Sequence, residues 1–185
     1  MDVREIYSRC SAAFGERVHA VDGRWDAPTV NPGWDVRALV NHLVNEERWT
    51  PPLLGGATIA EVGDRFDGDL LGPDPLATYD EAAATALAAV LAEGTVEGVA
   101  HLSFGDRPAR EYVLQLSADH LVHAWDLARA LGTDEALDAD VVEVLLGWYV
   151  VETEALYHRI GVIGPRVETG TGAQAELLGR FGRRS

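Results

Sequence analysis

The amino-acid sequence predicts an all-α fold. Three observations carry that expectation. Apolar residues fall at helical spacing through four long stretches, and an alanine-rich run adds a fifth by propensity. Clusters of Gly, Pro, Asp and Asn separate those stretches, as turns separate helices. Strand-like alternation is confined to residues 95–104. At 185 residues and 47% apolar content, the chain is long enough for one domain with a substantial core and too apolar for disorder.

The first helix covers residues 2–21, where Val3, Ile6, Tyr7, Cys10, Ala13, Phe14, Val18 and Val21 form one stripe. Cys10 lies on that stripe and reads as a buried small hydrophobe rather than a reactive thiol. His19 lies off it and is expected in solvent. Asp22-Gly23, Pro28 and Asn31-Pro32-Gly33 mark a loop, and Asp35 stands where the N-cap of a second helix belongs. That helix has two characters. Val36, Val40 and Leu43 make an apolar stripe, while Leu39, His42, Glu46 and Trp49 share a neighbouring face. Pro51-Pro52 is expected to end it.

Residues 53–75 are rich in Gly, Asp and Pro and read as a covering or functional loop, with one short turn at Ile59–Val62. The alanine-rich run Pro75–Glu93 is a third helix closed by Gly94. Thr95–Phe104 alternates imperfectly and reads either as a short β-hairpin near residues 96–104 that stops at Gly105-Asp106 or as an ordered loop, and His101 within it receives no role. A fourth helix runs from Arg110 to about Gly132. Asp138–Arg159 is a fifth, with Val141, Val144, Leu145, Trp148, Val151 and Leu156 apolar and Gly161, Gly164 and Pro165 as its stop. A short helix over Ala173–Phe181 completes the chain. Residues 1–160 are therefore expected to form the helical body, and 161–185 a tail packed on the same domain.

Charge and composition exclude several functions. A formal charge of −15 argues against a nucleic-acid partner, which clustered Lys and Arg would serve. All fifteen Lys-plus-Arg residues are Arg, so neither a Schiff-base lysine nor a Walker-type phosphate loop is available. Cys10 is the only cysteine, which excludes an internal disulfide and a cysteine-built zinc cage. The start, Met-Asp-Val-Arg-Glu-Ile, lacks a signal-peptide pattern, and no apolar run reaches membrane length. A cytoplasmic protein acting on a small molecule, without a membrane partner, is the expectation; a homodimer is left open.

The fourth helix holds the strongest functional signal. From Tyr112 to Trp125 its only formal charge is Asp119, and Asp119 and His123 are four apart, one above the other on one face. Leu114, Leu121, Ala124, Trp125 and Ala128 make the remaining faces apolar, which marks a buried helix. A buried carboxylate needs a partner. Three readings compete. Asp119 and His123 bind a divalent metal with His42 as third ligand, leaving coordination positions open. Alternatively, Asp119 pairs with His120 or Arg129 in a structural network. In the last, His and Asp serve a nucleophile, but no Gly-x-Ser-x-Gly elbow exists and Cys10 looks buried. Glu154 and His158 repeat the acid-to-His spacing in a wetter setting.

The segments Gly33-Trp-Asp-Val-Arg-Ala-Leu-Val-Asn-His-Leu-Val and Ala118-Asp-His-Leu-Val-His-Ala-Trp-Asp-Leu-Ala-Arg resemble the DinB/YfiT-like metalloenzyme family. The branch they most resemble is that of the N-terminal domain of mycothiol-dependent maleylpyruvate isomerase and its actinobacterial relatives. The resemblance runs from the first helix to Arg159. It implies an up-down four-helix bundle core and a three-ligand site, typically zinc, with His42, Asp119 and His123 at the ligand positions. The departure is Asp119, where the isomerases carry Glu. A carboxylate one methylene shorter implies a shifted metal or a contact through water.

The leading expectation is thus a metal-dependent enzyme. A bound ion lowers the pKa of a coordinated thiol or water and makes it nucleophilic near neutral pH. The chain has no suitable cysteine, so the thiol would come from outside. The resemblance names mycothiol, for isomerase or S-transferase chemistry on a small electrophile. Asp126, one turn from His123, is expected to orient its imidazole or to be a surface charge. His120, about 100° round the helix from Asp119, is a poorer ligand that can face the pocket, and Glu46 and Trp49 would line it. No residue is assigned to catalysis. The rivals are a noncatalytic metal-binding protein with a sequestering or regulatory role, and a bundle with a buried His–Asp network and no metal.

Overall fold

The structure, a computed structural model, describes residues 1–149, 151–159 and 163–184. Side-chain caps start three of its long helices, and the one at Asp35 was expected from the sequence. Asp2 caps α1 (Val3–His19) and Asp35 caps α2 (Val36–Leu54), each carboxylate accepting a first-turn amide that lacks a helical partner. The short α3 (Ile59–Val62) has a reciprocal capping box between Thr58 and Glu61. Asp74 caps α4 (Pro75–Leu91). Two strands follow, β1 (Val99–Leu102) and β2 (Gly105–Pro108), paired antiparallel with Val99 opposite Pro108 and Leu102 opposite Gly105. The long α5 (Ala109–Leu131) ends at Gly132, whose φ of 64° and ψ of 34° are the left-handed values that glycine tolerates best.

The residues Asp2–Asp134 form one compact unit. In it α1 lies along α5 and α2 along α4, while α1–α4 and α2–α5 contacts complete the packing. Phe14, Val18, Leu39, Val40, Leu43 and Leu127 are fully buried between these helices. Cys10 is buried, and His19 is exposed, 2.9 Å from Asp80. The second unit, Met1 with Glu135–Ser185, contains α6 (Ala139–Trp148), α7 (Val151–Arg159) and α8 (Ala173–Arg180), with α6 packed on α8.

Four expectations are corrected. The described residues are mostly helical but not all-α: eight helices accompany one two-stranded sheet. The hairpin lies later than expected, because Gly105-Asp106 begins the second strand and Asp106 Oδ1 meets His101 Nδ1 across it at 2.7 Å. Pro51-Pro52 lies inside α2 instead of ending it. The two prolines forfeit only two late amides, and the Gly55 N–H closes the turn on the Pro51 carbonyl at 2.9 Å. The single helix expected over 138–159 is interrupted after Trp148. There Arg180 donates to the Tyr149 carbonyl at 2.7 Å, and the Tyr149 ring stacks on Phe181 with centroids 4.7 Å apart. The Gly161 stop, the 160/161 boundary and the Val151 side chain lie outside the described residues.

Candidate metal centre

Helices α2 and α5 bring the candidate ligands together. The cap at Asp35 sets the start of α2, so His42 falls in its second turn facing α5. On α5, Asp119 and His123 stand one above the other. His42 Nε2 lies 3.0 Å from Asp119 Oδ2, and His123 Nε2 lies 3.4 Å from Asp119 Oδ1. The carboxylate therefore turns one oxygen to each imidazole. All three residues offer a ligand atom, and these atoms lie within 4.8 Å of one another. Donors held about 2.0–2.1 Å from one tetrahedral ion would lie roughly 3.3 Å apart, so the observed separations fit a shared ion. His42 and Asp119 are 29% and 32% exposed and His123 is 7% exposed, which leaves one side of the cluster open to solvent.

Neighbouring groups fix the His123 ring. Asp126 is buried one turn further along α5, and its Oδ2 lies 2.8 Å from His123 Nδ1. A carboxylate only accepts, so that bond places a proton on Nδ1 and turns Nε2 toward Asp119 and His42. The same Oδ2 accepts from the Asn31 side-chain amide at 3.0 Å. The Trp34 indole stacks on His123, with centroids 6.0 Å apart at 22°, and lies 5.1 Å from His42.

The electrostatics are those of a compact ion cluster. Burial pushes the His123 pKa down, but Asp119 and then Asp126 outweigh it and raise it to about 9. Burial would push Asp119 up, yet His123 and then His42 hold it well below the ordinary carboxylate value. Half-buried Glu46, one turn past His42, is raised by burial and then by Asp119. A metal would replace the shared protons of this cluster, as the chemistry of two imidazoles and a carboxylate permits.

The remaining residues singled out in the sequence are spread more widely. His120 turns away from Asp119: fully buried, it meets Glu47 Oε1 through Nε2 at 3.0 Å and donates from Nδ1 to the Leu116 carbonyl at 2.8 Å. Asp119 is paired with the two histidines, and the Arg129 guanidinium lies over the Trp125 ring at 5.0 Å. Trp49 packs edge-on against Phe66 at 6.0 Å. Glu154 and His158 approach to 3.6 Å in the other unit, where Arg180 also reaches Glu154. Three residues of this region had gone unnoticed as functional: Asn31, Trp34 and Glu47. Trp34 had a signal, since it stands in the same Gly-Trp-Asp segment that carries the family resemblance.

Comparison with known proteins now decides the kinship. The family model described as "Mycothiol maleylpyruvate isomerase N-terminal domain" matches residues 7–128, which span α1 to α5 and all three candidate ligands. The chain belongs to that family. Two relatives from Mycobacterium tuberculosis, the uncharacterized proteins MT0763 and Rv0738, are each 30% identical over 146 residues, covering 76% of this chain and 74% of theirs. No solved structure matches. Among the described residues, no helix of this family member is long and apolar enough to cross a membrane.

Proposed function

We propose that the protein is a metal-dependent enzyme that uses a low-molecular-weight thiol, such as mycothiol, for isomerase or S-transferase chemistry on a small electrophile. The observation that carries this reading is the convergence of His42, Asp119 and His123 on one point, with one side open. Membership of the mycothiol maleylpyruvate isomerase N-terminal domain family supports the choice of thiol. The bundle formed by α1, α2, α4 and α5 is read as the up-down four-helix core of DinB-like proteins, with residues 1–160 as the metal-binding body and 161–185 as its tail.

A zinc-type ion, when bound, supplies a Lewis acid that makes a coordinated thiol or water nucleophilic near neutral pH. The chain's own groups have separate tasks. His42, Asp119 and His123 would hold the ion, and Asp126, bonded to Nδ1, would keep His123 Nε2 available to it. Trp34 covers the imidazole faces on one side, so the electrophile approaches from the other. Glu46 keeps a carboxyl group beside the cluster whose affinity for protons is raised, suited to accepting one from the thiol.

Elemental analysis of purified protein after zinc loading, with and without His42→Ala, tests the site. Stoichiometric zinc is expected in the parent and its loss in the variant. Thiol-conjugation assays with and without mycothiol then separate an enzyme from a sequestering protein. Turnover that persists after complete chelation contradicts the metal-activated thiol.

A further inference from the structure

The loop that carries Asn31 and Trp34 is built as a unit. Its ends are joined by an antiparallel bridge between Pro28 and Asp35. Inside, the Thr29 amide and hydroxyl both donate to the Trp34 carbonyl, at 3.0 and 2.9 Å, and the Trp34 amide donates to the Asn31 carbonyl at 3.0 Å. The Asn31 amide in turn donates to the Thr29 hydroxyl at 3.1 Å. Gly33, with φ at 81°, supplies the positive dihedral that this reversal requires. Asn31 and Trp34 therefore move together.

Both side chains bear on one imidazole. Asn31 donates to the Asp126 oxygen that accepts from His123 Nδ1, and Trp34 stacks on the face of the same ring. One contact constrains rotation in the plane of the imidazole, and the other constrains its tilt. Asp126 alone, on the same helix as His123, provides only the first. The ring, about 7% exposed, otherwise meets the His42 ring edge-on at 5.1 Å and Asp119 Oδ1 at 3.4 Å, both on the ligand side.

We infer that the segment Thr29–Trp34 is a positioning element for His123, with Asn31 acting through Asp126 and Trp34 acting on the ring face. The inference deepens the metal-centre reading but concerns an arrangement already present in the protein before any ion binds. Partners of this kind commonly change metal affinity by about 10–100-fold when removed.

The test is nuclear magnetic resonance of metal-free protein at neutral pH. The hydrogen-bonded Nδ1–H proton of His123 is assigned by its loss in His123→Ala. The Nδ1–H proton of His120, held by the Leu116 carbonyl, is the internal control. Asn31→Ala and Trp34→Ala are each expected to speed exchange of the His123 proton with water by about tenfold or more, leaving the His120 proton unchanged. Asn31→Ser, which keeps a donor, should recover part of the protection, and Trp34→Phe keeps a ring should the alanine variant fold poorly. Unchanged His123 exchange in Asn31→Ala and in the Trp34 variants overturns the inference, and so does equal acceleration at His120. Zinc titration of the same variants is a second arm, with about a tenfold rise in Kd expected. If the parent binds no zinc, the metal reading fails while the exchange measurement still decides this one.

Discussion

Two acid–imidazole clusters join the same pair of helices, and their surroundings give them opposite characters. His42 on α2 meets Asp119 on α5 with both side chains about a third exposed, and His123 shares the carboxylate. Five residues along α2, Glu47 meets His120, the neighbour of Asp119, with both side chains at 0% exposure. The first cluster has an open side, three convergent ligand atoms and a buried acid behind one imidazole. The second is sealed, with Glu47 Oε2 and the nearby Tyr7 hydroxyl lacking hydrogen-bond partners among the described residues. The difference teaches that carboxylate and imidazole do not make a site by themselves. Access and convergence do.

The comparison breaks most sharply in stability. Glu47→Ala leaves His120 buried without its acid and is expected to cost about 3–5 kcal/mol, measured by denaturant unfolding. Replacing both partners, Glu47→Leu with His120→Phe, should recover most of that loss, because a sealed ion pair is often matched by well-packed apolar side chains. A double variant as unstable as Glu47→Ala would show that the pair does more than hold itself together. At the open cluster, Asp119→Asn should cost less than Glu47→Ala, since the Asp119–His42 contact is partly exposed and screened.

Metal affinity reverses the order. His123→Ala removes a candidate ligand and should weaken zinc by more than about 100-fold, exceeding the 10–100-fold range of supporting groups. His120→Phe should leave zinc affinity within a few-fold of the parent, because His120 faces Glu47. Isothermal titration of folded variants checks both. A larger zinc defect in His120→Phe than in His123→Ala would exchange the roles assigned to the two histidines.

Periodicity revealed one cluster and hid the other. Asp119 and His123 were legible because an i, i+4 acid and imidazole interrupt an otherwise apolar helix, and His42 because it does the same on α2. Glu47 was not, since adjacent Glu46 and Arg48 make it look like part of a solvated charge run. Its burial comes from the packing of α1, α4 and α5 around it, which no local spacing encodes. Asn31 and Trp34 were hidden for a related reason: a loop's local turn chemistry is readable, but its docking target lies 95 residues away at Asp126. The cap at Asp35 was legible because capping is local. The break after Trp148 was not, because Arg180 and Phe181 stabilise it from a distant segment.

Asp126 gives a more moderate effect. Asp126→Asn keeps the size of the side chain but can present a donor to His123 Nδ1, loosening control of the tautomer. Zinc affinity should fall about 10–100-fold, with the fold and the Glu47–His120 pair unchanged. A loss below twofold would mean that the His123 ring is set by Trp34 and packing alone.

The smallest effect is in pH, and its sign distinguishes proton from metal at the open cluster. His123 is raised from 6.5 to about 9 by Asp119 and Asp126 acting against burial, so the stability it contributes in metal-free protein is full below about pH 6.5 and is lost as pH rises through about 9. Asp119 is held well below 3.8 by its histidines despite burial, so its contribution is present above about 3.8 and is lost as pH falls through that lower value. For this cluster the metal-free protein is therefore best stabilised between about pH 4 and 6.5. Zinc needs the imidazoles deprotonated, so the stabilisation it adds should instead grow from pH 6 to pH 8. Urea unfolding across this range, with and without zinc, reads both slopes. Asp119→Asn should flatten the metal-free alkaline slope, and a zinc increment independent of pH would mean that the ion binds without displacing a proton from His123.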